Sequence, residues 1–287
     1  MTRLLVAQIA LVSLSACSTR SKPEEGRPHL DHPRSPRPFA EDFELGTLSR
    51  WSVEGSVTNL VSVTPDPTSP SNRVASMHVE PGELVNAGSR AEIAYDNRDV
   101  PGTVAWYRWR FLVPSDYTEP HDTTGTDDQG RPMWQVMGQW HDQPNVEAGE
   151  SWDSYPGHSP AISAHHGTVN GRSSLVTIIG VAGRERTLGP VELVKGKWHE
   201  LLWHIGWSTG DDAFVAVWLD GVALSRLSDG TVLPVVENEA RVRGRNMWNA
   251  YPHYLKLGLY RNASFTAANT VYYDDVTISA AAPARKP

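Results

Sequence analysis

The chain has 287 residues, enough for one large all-β domain or two small ones, and a formal net charge of −7 from 26 basic and 33 acidic residues. An acidic balance argues against non-specific nucleic-acid binding, so a site for an anionic polymer requires a local basic cluster. The 23 glycines and 21 prolines favour short elements over long helices. The 11 tryptophans suit packed sheets and also sugar-binding clefts.

The first 17 residues resemble a bacterial lipoprotein signal. Arg3 precedes an apolar run from Leu4 to Leu14 that is too short to span a bilayer, and the run ends in the sequence LSAC. The resemblance implies cleavage before Cys17, lipidation of its thiol, and export to the periplasm, outer membrane or cell surface. An ordinary secretory signal, in which Cys17 has no role, is the alternative. Because Cys17 is the one cysteine in the sequence, no internal disulfide is expected.

Residues 18–40 are rich in proline and charge and contain few apolar residues, a composition typical of a disordered tether. The remaining sequence, residues 41–283, predicts one folded domain. We expect the protein to be a monomer whose contact with a membrane is made through the lipid anchor.

Short β-rich segments separated by turn residues follow one another through this domain. The clearest segments are Val74–Val79, Arg90–Tyr95, Val104–Val113, Trp134–Trp140, Leu175–Ile179, His199–Trp207, Phe214–Leu219, Tyr254–Tyr260 and Val271–Ile278. No segment shows helical periodicity over three turns. So many antiparallel strands predict an all-β fold, a two-sheet jelly-roll sandwich of the concanavalin A-like type. Residues 118–132 and 142–160 are predicted as long loops.

Three predicted strands place polar side chains on one face, because side chains alternate across a strand. In the segment YLKLGLY, which starts at Tyr254, three leucines form an apolar stripe, while Tyr254, Lys256 and Tyr260 share the opposite face. Gly258 lies on that polar face, where its missing side chain would let a ligand approach closely.

Two further strands supply an amide, an imidazole and an ion pair. Gln139 and His141 share one face of their strand, and Arg90 and Glu92 share one face of another. Glu92 is positioned to orient the Arg90 guanidinium. The local cluster predicted from these patterns contains Arg90 and Lys256 with Gln139, His141 and Tyr260, and Arg108, Arg110 or Arg261 are further candidates for it.

These segments resemble the jelly-roll polysaccharide lyases, a group that includes alginate lyases, heparin lyase I and glucuronan lyase. Alginate lyases carry an Arg-x-Glu-Leu strand, a Gln-x-His strand and a Tyr-Phe-Lys-x-Gly-x-Tyr strand. This chain has RAEI from Arg90, QWH from Gln139 and YLKLGLY from Tyr254, in the same order. The segments GKWHE (196–200) and VYYDDV (271–276) resemble the heparin lyase I-like and glucuronan lyase-like branch. The resemblance covers residues 41–280 and implies cleavage of a uronic-acid polysaccharide by β-elimination, with glucuronan favoured over alginate or heparin.

The chemistry of β-elimination assigns roles to these residues, and their counterparts in the family have the same roles. Gln139 and Arg90 are expected to neutralise the uronate carboxylate, because negative charge develops there when the C5 proton leaves. His141 is the candidate base and Tyr260 the candidate acid; for the opposite C5 configuration Tyr260 would serve as both. The predicted substrate-binding residues are Lys256, Tyr254, Arg261, Glu92, Arg108 and Arg110.

Catalysis is expected to need no cofactor, since no His or Cys spacing indicates a catalytic zinc. Glu44 and Asp275 resemble edge positions at which jelly-roll domains hold a structural calcium ion, and their hard oxygen atoms suit Ca²⁺. A pair of solvated acids is the alternative. Two other functions compete with the lyase: a glycoside hydrolase, for which we find no strand with the required carboxylates, and a non-catalytic, lectin-like carbohydrate-binding module.

Overall fold

A computed structural model describes residues 33–284, apart from residue 57, residues 86–87 and residues 119–132. The described residues form a nearly all-β domain. In chain order the strands are β1 (Phe39–Glu41), β2 (Ser52–Glu54), β3 (Leu60–Asp66), β4 (Ser69–Val79), β5 (Gly88–Asp99), β6 (Val104–Leu112), β7 (Gln135–His141), β8 (Ile162–Val169), β9 (Arg172–Ile179), β10 (Arg186–Glu192), β11 (Trp198–Gly206), β12 (Phe214–Leu219), β13 (Val222–Ala223), β14 (Val235–Val236), β15 (Glu239–Ala240), β16 (Val242–Arg243), β17 (His253–Asn262) and β18 (Asn269–Ser279). A short 3-10 helix, Val146–Ala148, lies between β7 and β8.

Two large antiparallel sheets form the sandwich, as the jelly-roll prediction required. One sheet has nine strands, in the order β13-β12-β11-β6-β18-β4-β3, with β1 added beside β18 and β16 beside β12. The other has seven strands, in the order β10-β9-β8-β7-β17-β5-β2. In the part of the chain that is described, no helix has the length and apolar character of a membrane span.

The core between the sheets is built from alternate residues of the central strands. Leu255, Leu257 and Leu259 of β17 are fully buried, which confirms the predicted apolar stripe. From β7, the ring of Trp140 packs against Tyr107 of β6 with ring centroids 4.9 Å apart. Burial of such large rings contributes strongly to stability: truncation of one to alanine costs about 3–5 kcal/mol. The outward-facing residues of the same strands are thereby held on a rigid support.

The ordered domain includes part of the segment predicted as a tether. Arg34 forms backbone hydrogen bonds with Gly102 and Val104, and Phe39 is buried at the start of β1. The tether prediction is therefore wrong for residues 34–40, because pairing with the sheet and burial of Phe39 offset the entropy of ordering this segment. Residues 1–32, including Cys17, and most of the predicted loop 118–132 lie outside the described residues.

Candidate active site

Three of the strands singled out in the sequence are neighbours in the seven-stranded sheet. β17 lies between β7 and β5. Tyr254 is paired with His141 and Lys256 with Gln139 across one side of β17, and Tyr260 is paired with Arg90 across the other. Because paired residues point to the same side of a sheet, these side chains share the face that is turned away from the core. We call this surface the site face.

A network of charged groups lies at the centre of the site face. Arg90 donates from Nη1 to Glu54 and lies with Nε 3.2 Å from Oε2 of Glu92. Lys256 Nζ lies 2.7 Å from each carboxylate oxygen of Glu54. Gln139 donates from Nε2 to Oε1 of Glu92 over 2.6 Å. The predicted orientation of Arg90 by Glu92 is present, and the network also contains Glu54, which the sequence did not indicate.

Burial and charge shift the pKa values of these groups in different directions. Burial raises the pKa of the fully enclosed Glu92, and the opposing charges of Lys256 and Arg90 only partly offset this. In Glu54, burial also acts upward, but Lys256 and Arg90 outweigh it and lower the pKa. The Arg90 guanidinium, although buried, has a raised pKa because Glu92 and Glu54 stabilise its charge. The site face therefore holds permanent positive charge, as recognition of a carboxylate requires.

Both carboxylate-binding candidates retain hydrogen-bond donors beyond those already used. An arginine carries five N–H groups, and Glu54 accepts a hydrogen bond from one of the five in Arg90, while Glu92 forms an ion pair without a hydrogen bond. A glutamine amide carries two N–H groups, and Glu92 accepts one from Gln139. The arrangement can therefore bind a further carboxylate without first breaking its internal pairs.

The phenol of Tyr260 is fixed between a cation and an indole. The guanidinium carbon of Arg90 lies 3.8 Å from the centre of the Tyr260 ring. The ring of Trp134 meets the same phenol edge-on, with ring centroids 4.6 Å apart. Positive charge beside the ring stabilises negative charge on the phenolic oxygen during proton transfer.

Gly258 has a different role from the one predicted. Its φ of +148° favours glycine, and a Cβ atom would lie 2.3 Å from the carbonyl oxygen of Ala91 and 2.6 Å from Cα of Glu92. The space is thus occupied by β5 and not left open for a ligand. The missing side chain instead lets Glu92 lie beneath Gln139 and Lys256.

His141 stands at the end of β7, where the chain leaves the sheet. Its side chain is 23% exposed, and its Nδ1 atom faces Asp142. The ring lies beside Tyr254, with centroids 6.1 Å apart. Burial, together with Glu54 and Glu92, raises the pKa of Tyr254, so this residue remains a neutral phenol near neutral pH. His141 is therefore partly exposed on the site face, while its Nδ1 atom is held by Asp142.

Sequence reasoning missed several polar residues at the site. Glu54 lies on a strand of three residues, too short to show a pattern. Ser163 pairs with Gln139 from β8, and its hydroxyl lies 2.8 Å from Nε2 of His165. Burial lowers the pKa of His165 to about 4, which keeps it neutral. The two adjacent histidines of β8 concealed its alternation, so this strand was not among the segments identified.

Three predicted substrate-binding arginines are not brought to the site face. Arg108 and Arg110 belong to β6 in the other sheet, where Arg108 approaches Glu200 and Arg110 approaches Asp275, each at 3.5 Å. Arg261 is fully buried and donates to the carbonyl of Val79, which belongs to the nine-stranded sheet. Because successive residues point to opposite sides of a strand, Arg261 faces the core and Tyr260 faces the site.

The predicted calcium residues lie near one another without forming a metal site. Glu44 and Asp275 both line a cavity of about 450 Å³ on the outer surface of the nine-stranded sheet. Glu44 accepts a hydrogen bond from the Arg73 backbone, and Asp275 faces Arg110. Within the described residues, no group of three or more His, Cys, Asp or Glu side chains is placed to hold a metal ion. Within the part of the chain that the structure describes, these two residues therefore receive no support as a calcium site.

The model of the polysaccharide lyase family matches residues 43–277, which include every strand of the site face. The chain belongs to this family. It is a polysaccharide lyase enzyme, and this decides against a hydrolase and against a non-catalytic sugar-binding module. No curated protein matches the lyase in sequence.

Solved structures share the fold of this lyase. The endo-β-1,4-glucuronan lyase of the fungus Trichoderma reesei is 14% identical, with a TM-score of 0.61 over 85% of this chain and 95% of that one. A mutant of alginate lyase Aly36B, solved with an alginate trisaccharide, is 11% identical, with a TM-score of 0.51 over 88% of this chain and 100% of that one. At these identities the similarity establishes the jelly-roll fold alone.

Proposed function

We propose that the lyase cleaves a uronic-acid polysaccharide by β-elimination on the site face, with glucuronan as the favoured substrate. The convergence of Arg90, Gln139, His141 and Tyr260 on adjacent strands is the observation that supports this most strongly. The four groups supply what elimination from a uronate needs: neutralisation of the carboxylate, a base and an acid.

In the proposed reaction, Arg90 and Gln139 donate hydrogen bonds to the uronate carboxylate. His141 removes the proton from C5, and the electron pair of that C–H bond forms the C4–C5 double bond. The C4–O bond breaks, and Tyr260 gives its proton to the departing oxygen. For a uronate of opposite configuration at C5, Tyr260 enters the step as the phenolate, takes the C5 proton and then donates that proton to the leaving oxygen. Each route leaves an unsaturated uronate at the new chain end.

The preference for glucuronan rests on the segments GKWHE and VYYDDV and on the fold shared with the glucuronan lyase. Alginate is the second candidate, because the motifs on β5, β7 and β17 follow the alginate lyase pattern and an alginate lyase shares the fold. Heparin-type chains are the third. All three present a carboxylate beside an acidic C–H bond, so recognition of the carboxylate alone does not separate them.

A panel of purified glucuronan, alginate and heparin, each incubated with the enzyme, tests the proposal. Elimination creates a conjugated double bond, so ultraviolet absorbance reports turnover directly. We expect the fastest increase with glucuronan, and no increase with the Tyr260→Phe variant. Faster cleavage of another polyuronate would correct the substrate, and the absence of a chromophore with all three would refute β-elimination of these polymers.

We also propose that the lyase is exported and anchored as a monomeric lipoprotein through Cys17. The sequence LSAC after an apolar run supports this. In a bacterial host, the wild-type enzyme should sediment with membranes, whereas Cys17→Ala should be released into the soluble fraction with its specific activity unchanged. If the two proteins fractionated identically, the proposed lipid anchor would be contradicted.

A further inference from the structure

Asp142, the residue directly after His141, has the geometry of a group that orients the imidazole. His141 Nδ1 lies 2.8 Å from the backbone oxygen of Asp142 and 3.1 Å from its carboxylate Oδ1. Both are acceptors, so the hydrogen of a neutral imidazole resides on Nδ1 and the lone pair on Nε2. We propose that Asp142 is a positioning residue that fixes this tautomer and this orientation of His141, an inference that rests on the proposed lyase function.

The carboxylate is itself held by the loop that follows β7. Asp142 Oδ2 accepts a hydrogen bond from the Tyr155 hydroxyl over 2.7 Å and a second one from Nδ1 of His158. The Tyr155 oxygen accepts in turn from Asn249 Nδ2 over 2.8 Å. The His158 ring is stacked on Trp248, with centroids 4.2 Å apart and planes 8° from parallel. Asp142 therefore cannot turn away from His141 without breaking contacts from two segments of the chain.

Hydrogen bonds and nearby positive charge keep Asp142 ionised in spite of its burial. The residue is fully buried, which by itself would raise its pKa, but hydrogen bonding and charge from His141, with hydrogen bonds from Tyr155 and His158, hold the pKa well below its usual range. Oδ1 forms no hydrogen bond with any described residue, and it lies 3.1 Å from Nδ1 of His141. A buried carboxylate oxygen without a hydrogen-bond partner calls for a functional explanation.

The consequence for catalysis follows from which nitrogen carries the hydrogen. A base must present a lone pair to the C5 proton, and here Nε2 is the nitrogen not held by Asp142. In the other tautomer, Nε2 would carry a hydrogen and could not accept the proton. A carboxylate on Nδ1 has the same orienting role in hydrolytic triads. No pattern in the sequence indicates this role, since an aspartate at the end of a strand is most often a solvated turn residue.

The test compares Asp142→Asn with Asp153→Asn, which removes an exposed carboxylate from the same loop. We expect Asp142→Asn to lower kcat by about 100-fold, because a correctly presented general base contributes roughly 10²–10⁴-fold. KM should stay within about threefold, since Asp142 does not touch the substrate. Asp153→Asn should retain both constants. Equal kcat values for wild type and Asp142→Asn would overturn the proposal.

Nitrogen-15 NMR of the imidazole rings provides a measurement that does not depend on activity. The His141 signals, assigned by their loss in His141→Ala, should show hydrogen on Nδ1 in the wild type. In Asp142→Asn, where only uncharged acceptors face Nδ1, the share of the tautomer with hydrogen on Nε2 should rise. Hydrogen predominantly on Nε2 in the wild type would overturn the inference, even if the Asp142 variants fail to fold. Full activity of His141→Ala would instead refute the proposed mechanism, so the two failures are distinguishable.

Discussion

The site face and the outer surface of the nine-stranded sheet carry the same kinds of side chain with different results. On the site face, Arg90 contacts Glu54, Glu92 and the ring of Tyr260. On the other surface, Arg110 lies 3.5 Å from Asp275 and 5.0 Å from the Trp198 ring. Each arrangement contains an arginine, a carboxylate and an aromatic ring. The site face adds an imidazole next to the buried Asp142 and an amide next to the buried Glu92.

The difference arises from strand order. β17 lies between β5 and β7, so three polar-faced strands meet side by side. β6 lies between β11 and β18, whose carboxylates Glu200 and Asp275 face its two arginines. Arg110 is partly solvated, and an ion pair on such a surface contributes little energy. Arg108 is buried, so it offers little charge to a ligand. The comparison predicts that chemistry depends on one surface and that the other is catalytically silent.

The largest effect is expected from His141→Ala and Tyr260→Phe, which remove the proposed base and acid. Each should reduce the rate of product absorbance by about 10³-fold, within the range attributed to general acid–base catalysis. His78→Ala and Tyr272→Phe are matched controls, since these residues line a cavity on the other surface. The controls should retain rates within about twofold. Near-wild-type rates in both site-face variants would contradict the mechanism.

Substitution of one arginine on each surface compares the two surfaces with the same type of residue. Arg90→Ala should lower kcat/KM by about 10²–10³-fold, the usual cost of removing a donor from a developing negative charge. It should also lower the melting temperature, because the buried Glu92 loses its ion pair. Arg110→Ala should leave turnover within about twofold. Equal losses in the two variants would mean that both surfaces bind the polymer.

A smaller effect is expected in the pH dependence of stability on the nine-stranded sheet. Burial, with the neighbouring charge of Asp275, raises the pKa of Asp274 to about 6. As pH rises from about 4 to 6, the unfolded chain loses this proton before the folded one does, so stability from this group declines across that window. Asp274→Asn has no titrating carboxyl group here, so its stability should not decline in this way. The difference in melting temperature, variant minus wild type, should therefore rise by about 2–4 °C between pH 4 and pH 7, which corresponds to about 1 kcal/mol after solvent screening.

A melting-temperature difference that stays constant from pH 4 to pH 7 would contradict the assignment to Asp274. Activity of Asp274→Asn, measured at pH 7, should equal that of the wild type, because the residue lies on the surface opposite to the proposed site.

The smallest effect is expected from chelation. Arg90 and Gln139 are proposed to neutralise the carboxylate, so dialysis against a chelator should change kcat by less than about twofold. If activity were lost at an unchanged melting temperature and a divalent cation restored that activity, the proposal that Arg90 and Gln139 neutralise the carboxylate without a metal ion would be contradicted. A fall in melting temperature that calcium reverses would instead indicate a structural ion.

The alternation of apolar and polar residues predicted most of the central strands and the polar set on each. The stripe of Leu255, Leu257 and Leu259 and the opposite placement of Lys256 and Tyr260 follow from period-two geometry alone. The expectation that β5, β7 and β17 meet rested on their polar faces and on the family resemblance, because alternation within a strand carries no information about its neighbours.

Other features of the fold and the site could not be predicted from the local sequence pattern. Arg108 and Arg110 share a face, as predicted, yet that face belongs to the other sheet. Glu54 reaches the site from a strand of three residues, and Asp142 acts through contacts with residues 13 and 16 positions away. Phe39 begins a strand that the proline-rich composition had concealed. In each case tertiary contacts decided the outcome over local composition.

A crystal structure of the Tyr260→Phe variant with a glucuronan-derived trisaccharide tests the central claim most directly. We predict that the carboxylate of one uronate lies within hydrogen-bond distance of Arg90 and Gln139, with its C5 atom facing Nε2 of His141. A trisaccharide bound on the outer surface of the nine-stranded sheet, or on the site face with its carboxylates directed away from Arg90, would contradict it.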